Sequence, residues 1–281
     1  MTASPKVTIR PMTRSEMDLA VRWAAEEGWN PGVHDAEAFY AAYPSAFFVA
    51  DREGEVVGTV SIVSYPGDEC FAAFLMVRPH MRGHGIGGML LDHLQAVGKG
   101  KNIGGDGVVA MLPTYAARGY KFAHWHLRFK GVGGGDEDRD LTDLVDVSFE
   151  ELSRYDRSIF PAPRDEFLRS FLGQEGTRTL VSIDGGKITG YGTIRPSMTG
   201  HRIGPLFADD RPTAERIMRA LVANIPGEPF FIDVPEPNAP AMAMVHDHEM
   251  VEVFRAGRIY SKRAPDVPLG KVFGLTTMEL G

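Results

Sequence analysis

Apolar and polar positions alternate along this chain at two periods, near two and near 3.6, and the switches between them outline the elements. Val7 to Pro11 alternates and predicts a short edge strand. Thr13-Arg-Ser-Glu16 offers an N-cap, and Met17, Leu19, Ala20, Val21, Trp23 and Ala24 then recur as one helix until Gly28. Asp35 to Tyr43 predicts a second helix, ended by Pro44. Phe47 to Asp51 and Val56 to Val63 predict strands joined through Arg52-Glu-Gly-Glu55. The apolar run Phe71 to Val77 predicts a buried strand, which Pro79 ends. A glycine-dense turn follows, and Met89, Leu90, Leu91, Leu94 and Val97 return at helical spacing. Gly98 to Gly107 predicts only a short, irregular strand around Asn102-Ile103. Val108 to Arg118 reads as a helix stopped by Gly119, and Phe122 to Phe129 as a strand. That strand puts Ala123, Trp125, Leu127 and Phe129 on one face and His124, His126 and Arg128 on the other.

Gly131 to Asp140, rich in glycine and charge, predicts a linker, and the pattern then repeats. Val145 to Phe149 opens the second half, with helices over Phe149 to Tyr155 and Arg164 to Leu172. Thr179 to Ile183 and Ile188 to Ile194 form a hairpin whose Gly186-Lys-Ile-Thr-Gly190 echoes Gly54-Glu-Val-Val-Gly58. Ile203 to Phe207 parallels the buried strand, and Thr213 to Ile225 the helix after it. Phe230 to Val234, Ala239 to His248 and Val253 to Ser261 complete a second copy as strand, helix and strand. The expectation is an α/β (α+β) protein of two tandem copies of one domain. Each copy is a mixed, mostly antiparallel sheet flanked by helices. The domains run over 1–131 and 141–281, with a linker at 132–140.

The stretch Arg82-Gly-His-Gly-Ile-Gly-Gly88 joins the buried strand directly to a helix. That geometry aims unpaired backbone N–H groups and the positive end of a helix dipole at one point, a ready anion site. A dinucleotide fingerprint fits poorly, since no strand rich in Val or Ile leads to Asp106, the acidic residue nearest the ribose-binding distance, and the Gly-Lys-Ser/Thr of a nucleotide phosphate loop is absent. Val77-x-Pro79 followed by Arg82-x-x-Gly85-x-Gly87 resembles instead the acyl-CoA pyrophosphate loop of the GCN5-related N-acetyltransferases (GNAT). Tyr115-x-x-x-Gly119-Tyr120 resembles a helix end of the same superfamily. Tyr191-Gly-Thr-Ile-Arg195, Ile203-Gly-Pro-Leu-Phe-Ala-Asp209, Asp233-Val-Pro-Glu-Pro-Asn238 and Phe273 to Gly281 resemble the divergent C-terminal domain of its YitH-like subgroup.

The resemblance implies pyrophosphate binding at Arg82, Gly83, His84, Gly85, Ile86, Gly87 and Gly88, and pantetheine binding along the backbones of Leu75, Met76 and Val77. It implies that Tyr115 protonates the departing thiolate and that Glu69 is a candidate base, water being the other. It implies acetyl-CoA as co-substrate, no metal, and transfer of an acetyl group to a primary amine of a small molecule. A non-catalytic acyl-CoA sensor and a protein N-acetyltransferase are the alternatives. Two departures stand out. Gly88 replaces the Ser, Thr or Arg common in relatives, and the Gly98–Gly107 segment puts the usual parting of the fourth and fifth strands in doubt. In the second copy Asp209-Asp-Arg-Pro-Thr-Ala-Glu215 stands where the glycine loop should be, and Val245 stands where Tyr115 does. Carboxylates at that helix mouth repel a diphosphate, so only the first copy is expected to bind coenzyme A. Tyr191, Arg195, Phe207, Asp233 and Glu236 are candidates to line the acceptor cavity, with Asp233 and Glu236 attracting an ammonium group.

Composition changes little in this picture. A net charge of −7 with no basic stripe argues against nucleic acid. No stretch is long and apolar enough to span a membrane, and the first residues carry no signal-peptide core. The single Cys70 cannot form an internal disulfide, which suits the cytoplasm, and a monomer or homodimer is expected. His246 and His248, two apart on a helix, point too far apart to share an ion.

Overall fold

The computed structural model of the protein describes residues 6–281. Strand β1 (Val7–Pro11) leads into helix α1 (Arg14–Glu26). Its start is fixed by a capping box, in which the Glu16 amide donates to Thr13 and the Thr13 amide donates to the Glu16 carboxylate at 2.7 Å. Helix α2 (Asp35–Ala42) follows, and β2 (Phe47–Arg52), β3 (Glu55–Ser64) and β4 (Glu69–Val77) form an antiparallel meander. Helix α3 (Ile86–Val97), strand β5 (Asn102–Val108), the short helix α4 (Leu112–Ala117) and strand β6 (Lys121–Val132) close the first half. The second half repeats that order with β7 (Thr142–Asp143), α5 (Phe149–Arg157), α6 (Asp165–Leu172), β8 (Arg178–Asp184), β9 (Lys187–Pro196) and β10 (His201–Ala208). It continues with α7 (Arg211–Val222), β11 (Pro229–Pro235), α8 (Ala239–Asp247) and β12 (Val251–Tyr260). A thirteenth strand, β13 (Val272–Gly274), has no counterpart among the described residues of the first half.

The strands join in one sheet ordered β1-β2-β3-β4-β5-β12-β6-β11-β10-β9-β8-β7, with β13 beside β10. The order is a palindrome of the two copies in which the last strands have changed places. Strand β12 of the second copy pairs with β5 of the first, β6 of the first pairs with β11 of the second, and β6 and β12 run antiparallel at the centre. Pulling the halves apart would break both exchanged ladders. No helix among the described residues is long and apolar enough to cross a membrane.

Four expectations about elements change. Gly98–Gly107 is not irregular: β5 is a seven-residue strand, parallel to β4 from Glu69↔Asn102 to Ala72↔Gly105. Its glycines read as breakers because what they accommodate is distant in sequence. A β-carbon on Gly104 would lie 2.8 Å from the Tyr260 ring, and one on Gly107 would lie 2.8 Å from the Tyr115 ring. The helix expected over Val108 to Arg118 is a 3-10 turn (Val109–Met111) followed by the six residues of α4. The second half opens with the two-residue β7 rather than at Val145, and Gly131-Val132 of the expected linker still belong to β6.

Alternation along the strands sends side chains to two layers. Phe47, Val49, Val63, Phe71 and Tyr191 face α1, α2, α5 and α6, whereas Ala50, Val60, Ile62 and Cys70 face α3. The first layer is shared by both halves. Phe39 of α2 stacks on Phe171 of α6 with centroids 6.3 Å apart. Beside it Arg195 Nε donates to Asp35 at 2.9 Å, with both side chains fully buried. Burial alone would raise the Asp35 carboxyl, but Arg195 outweighs it and holds the group below the usual carboxylate range. Deleting one partner strands a buried charge. Asp35→Ala is therefore expected to cost about 3–5 kcal/mol by urea unfolding, and the pair Asp35→Leu with Arg195→Met to recover most of it.

Candidate active site

Beyond Ala72 and Gly105 the register between β4 and β5 stops, and the two parallel strands part. The cause lies in β4. Thr59 pairs with Met76 and Ser61 with Ala73, so Phe74 and Leu75 both oppose Val60 in a bulge. Phe74 takes φ +50, a left-handed conformation costly for a buried phenylalanine, and Thr59 Oγ1 donates to its carbonyl at 2.7 Å. The β5-facing edge of β4 is thereby bared from Ala73 onward. Leu75 lines the resulting cavity, Met76 packs into the core beside it, and the Val77 carbonyl accepts from Arg82 Nε at 2.9 Å.

The loop after β4 delivers the expected helix mouth. Gly83 and Gly85 take φ of +81 and +80, positions that need glycine, and Gly85 caps α3 with no side-chain hydrogen bond, so the Ile86, Gly87 and Gly88 amides at the first turn have no cap. Beyond the backbone of its own helix and its chain neighbours, a β-carbon on Gly87 would come no closer than 3.8 Å, to Val77, and one on Gly88 no closer than 3.7 Å, to Arg118, so packing does not demand glycine there. What glycine leaves is close access to the amides, as an anion requires. The Arg82 guanidinium turns away to pair with Glu27 at the C-terminal cap of α1, and His84 Nδ1 donates to the Arg82 carbonyl at 3.0 Å. The loop thus presents backbone rather than side chains, and it fits a diphosphate. At the second copy's α7 the Asp210 carboxylate already accepts from the Thr213 amide at 2.9 Å, and Asp209 accepts from Lys271 and Tyr155. That mouth is closed.

The parting of β4 and β5 opens a partly enclosed cavity that runs through the sheet. On the α3 side it meets Leu91, Leu94, Tyr115 and Tyr120; on the other it meets Trp29, Arg128, Phe254, Met278 and Glu279. Tyr115 lies on the bare backbone of Gly107 and packs edge-on to Tyr120 at 6.1 Å. Burial, reinforced by Tyr120, pushes its phenol up to about 12, so it stays protonated across the working range. Glu69 lines a different cavity, with Tyr65, His124, Arg258 and Tyr260. Its carboxylate accepts from Asn102 Nδ2 at 2.8 Å and lies 3.8 Å from Arg263. The structure therefore brings Leu75 and Tyr115 together and sets Glu69 apart from them. Of the second-half candidates, Phe207 lines the Glu69 cavity, Tyr191 and Arg195 are buried in the shared core, and Asp233 is held by Arg128 and Arg202. Glu236 is exposed.

Sequence reasoning missed a charged cluster beside both cavities. Asp106 accepts from Arg258 Nε and Nη2 at 2.9 and 2.8 Å and bonds His126 Nδ1 at 2.8 Å, and His126 Nε2 meets His124 Nε2 at 3.0 Å. The alternation of His124 and His126 with Trp125 gave their common face but not Asp106 or Arg258, which arrive on β5 and the exchanged β12. Among the described residues no group of three or more His, Cys, Asp or Glu is placed to hold a metal ion.

Residues 15–120 match the family model described as the acetyltransferase (GNAT) family, and residues 152–274 match one described as an acetyltransferase (GNAT) domain. The chain is similar to holothin acyltransferase of Pseudoalteromonas sp. (strain SANK 73390), 26% identical over 278 residues, which is 98% of this chain and 94% of that protein. Its fold is similar to a Pyrococcus horikoshii crystal structure named as an acetyltransferase, with a TM-score of 0.84 at 19% identity over 98% of this chain and 96% of that one. It is also similar to a tandem GNAT protein from the clavulanic acid biosynthesis pathway, with a TM-score of 0.64 at 14% identity over 93% of this chain and 100% of that one.

The histidine cluster sets a pH dependence. Burial first, then His126 and Arg258, push His124 down to about 3, whereas the unfolded chain takes up that proton near pH 6.5. Its contribution is full above that pH and is lost as pH falls, by no more than about 1.4 kcal/mol per pH unit. Unfolding midpoints of the wild type should fall between pH 6.5 and 4, and His124→Gln should flatten that slope.

Proposed function

The chain belongs to the GNAT acetyltransferase superfamily as a tandem pair of its domains and is an acyltransferase; from that premise we propose that, of the two copies, only the first, residues 1–131, binds acetyl-CoA, and that the acetyl group passes to the primary amine of a small molecule by direct attack in a ternary complex, with the second half shaping the acceptor pocket. The observation that carries this reading is the contrast between the halves. One parting of strands is open and leads to a bare helix mouth, while the other mouth is capped by Asp210. The thioester supplies an activated acetyl group. The amides of Gly83 to Gly88 hold the diphosphate, and the bared edge of β4 at Leu75 to Val77 holds the pantetheine and polarises the acyl oxygen. Tyr115 holds a proton for the departing sulfur. The second half supports a small acceptor over a protein one, because Phe254, Met278 and Glu279 wall the cavity that an exposed peptide would need open. The second-half motifs support the YitH-like subgroup.

Thiol release from acetyl-CoA across a panel of primary amines tests transfer against mere sensing, and a protein that releases none is a sensor. Tyr115→Phe should lower kcat by about a hundredfold or more with KM for acetyl-CoA unchanged. Because its phenol titrates at about 12, the wild type should show no basic limb from Tyr115 up to pH 10. Gly85→Ala should weaken coenzyme A binding about tenfold by calorimetry, by straining the φ +80 residue at the loop, and unchanged affinity would move the diphosphate elsewhere.

A further inference from the structure

The tail after β13 is buried although it forms no helix or strand. Leu275 to Leu280 are each under a tenth exposed; the Leu275 amide donates to the Asp233 carbonyl at 2.8 Å, and the Leu280 carbonyl accepts from Tyr65 at 2.6 Å. The tail carries Met278 and Glu279 into the wall of the cavity that holds Leu75 and Tyr115. Glu279 is 3% exposed, and its Oε2 has no hydrogen-bond partner among the described residues. A buried carboxylate oxygen without a donor is costly unless something else supplies one. The other acidic and basic groups of this wall are engaged. Both oxygens of Asp106 are taken by Arg258 and His126, and Arg128 donates to both oxygens of Asp233 and to the Trp29 carbonyl.

We propose that Glu279 is the acceptor-binding carboxylate: it takes the hydrogen bond of the incoming amine and then its proton, and the acceptor is a primary amine on an apolar body that carries no carboxylate of its own. This rests on the transferase reading above. The apolar body follows from Trp29, Phe254 and Met278, which face the same space. Exclusion of an acceptor carboxylate follows from like charge at Glu279 and from Arg128 being already committed to both oxygens of Asp233. In the step, the amine nitrogen bonds to the acyl carbon as the carbon–sulfur bond breaks. The nitrogen's proton passes to Glu279, the sulfur takes the Tyr115 proton, and solvent restores both residues.

The groups facing Glu279 are Arg202 of β10, Arg128 of β6, Asp35 of α2 and Asp233 of β11. Burial raises its carboxyl above the ordinary range, Arg202 and Arg128 draw it back, and Asp35 and Asp233 push it up. With Glu279 ionised, the three arginines 128, 195 and 202 balance the three carboxylates 35, 233 and 279. A base held nearer neutrality accepts an amine proton more readily than an exposed glutamate.

The test uses the full chain with acetyl-CoA, benzylamine and phenylalanine, which share a ring and differ by a carboxylate. Wild type should acetylate benzylamine at least a hundredfold faster in kcat/KM, and parity would overturn the proposal without any variant. Glu279→Gln should lower kcat/KM for benzylamine about a hundredfold, remove the acid limb of its pH profile, and leave KM for acetyl-CoA within twofold. Glu279→Asp should restore the limb. Retention of the limb in Glu279→Gln would overturn the assignment, since a purely structural role would not move it. Calorimetric binding of benzylamine to the coenzyme A complex separates the two readings. Tenfold weaker binding in Glu279→Gln supports the site even where turnover fails, and equal binding sinks it while leaving acetyl transfer standing.

Discussion

Everything at this site depends on two parallel strands ceasing to pair. The ladder between β4 and β5 ends at Ala72 and Gly105, and the main-chain groups beyond it would be unsatisfied in a closed sheet. Each such buried group costs about 1–3 kcal/mol, so a parting this deep persists only where something else supplies partners. The bulge at Phe74 and Leu75 forces the parting, and the hydrogen bond from Thr59 holds it against the strain of a left-handed phenylalanine. The second half contains the same defect. Gly204 and Pro205 oppose the single Thr193, and the ladder between β10 and β11 ends at Ile203 and Ile232. There β13 enters the gap, pairing with β10 at Leu206 and Phe207. One fold thus solves one problem twice, with the chain itself in one half and with space for a ligand in the other.

That difference explains why the duplicated copy can lose its glycine loop without losing the fold. Once β13 fills the parting, nothing needs the amides at the mouth of α7, and Asp210 can cap them, a change that stabilises the helix by about 1 kcal/mol. The first copy forgoes that cap at Gly85. Stability lost there is recovered elsewhere, through the exchanged last strands and the aromatic layer around Phe39, Phe167 and Phe171 that both halves share.

The duplication, the order of elements and the glycine loop were legible because each is written in contiguous residues with a local physical meaning. Thr13 and Glu16, or Gly85 before an apolar helix, need no knowledge of the rest of the chain. The exchange of β6 and β12 left no local mark, since both strands satisfy the same pattern in either copy. Gly104 and Gly107 misled for a related reason: the rings of Tyr260 and Tyr115 that require them lie elsewhere in the chain. Glu69 drew attention as an acid at a strand start, yet its neighbours place it in the second cavity. Asp106 carries no motif, and the stretch Phe273 to Gly281 that contains Glu279 marks no residue in it for chemistry; the meaning of both arises only from what three-dimensional packing sets beside them.

The tail joins these threads. A segment whose only task was to plug the gap between β10 and β11 could stop after Gly274, yet the chain continues buried for several residues and delivers an acid to the open cavity of the other half. Burying Glu279 among Arg128, Arg202, Asp35 and Asp233 without a hydrogen bond to its Oε2 works against stability. Apolar side chains of similar volume would fit such a wall at less cost. A carboxylate kept there, reached from the copy whose own helix mouth is capped, ties the divergence of the second half to the open cavity of the first. The degenerate copy closes its own parting of strands and, with the same stretch of chain, furnishes the far wall of its neighbour's.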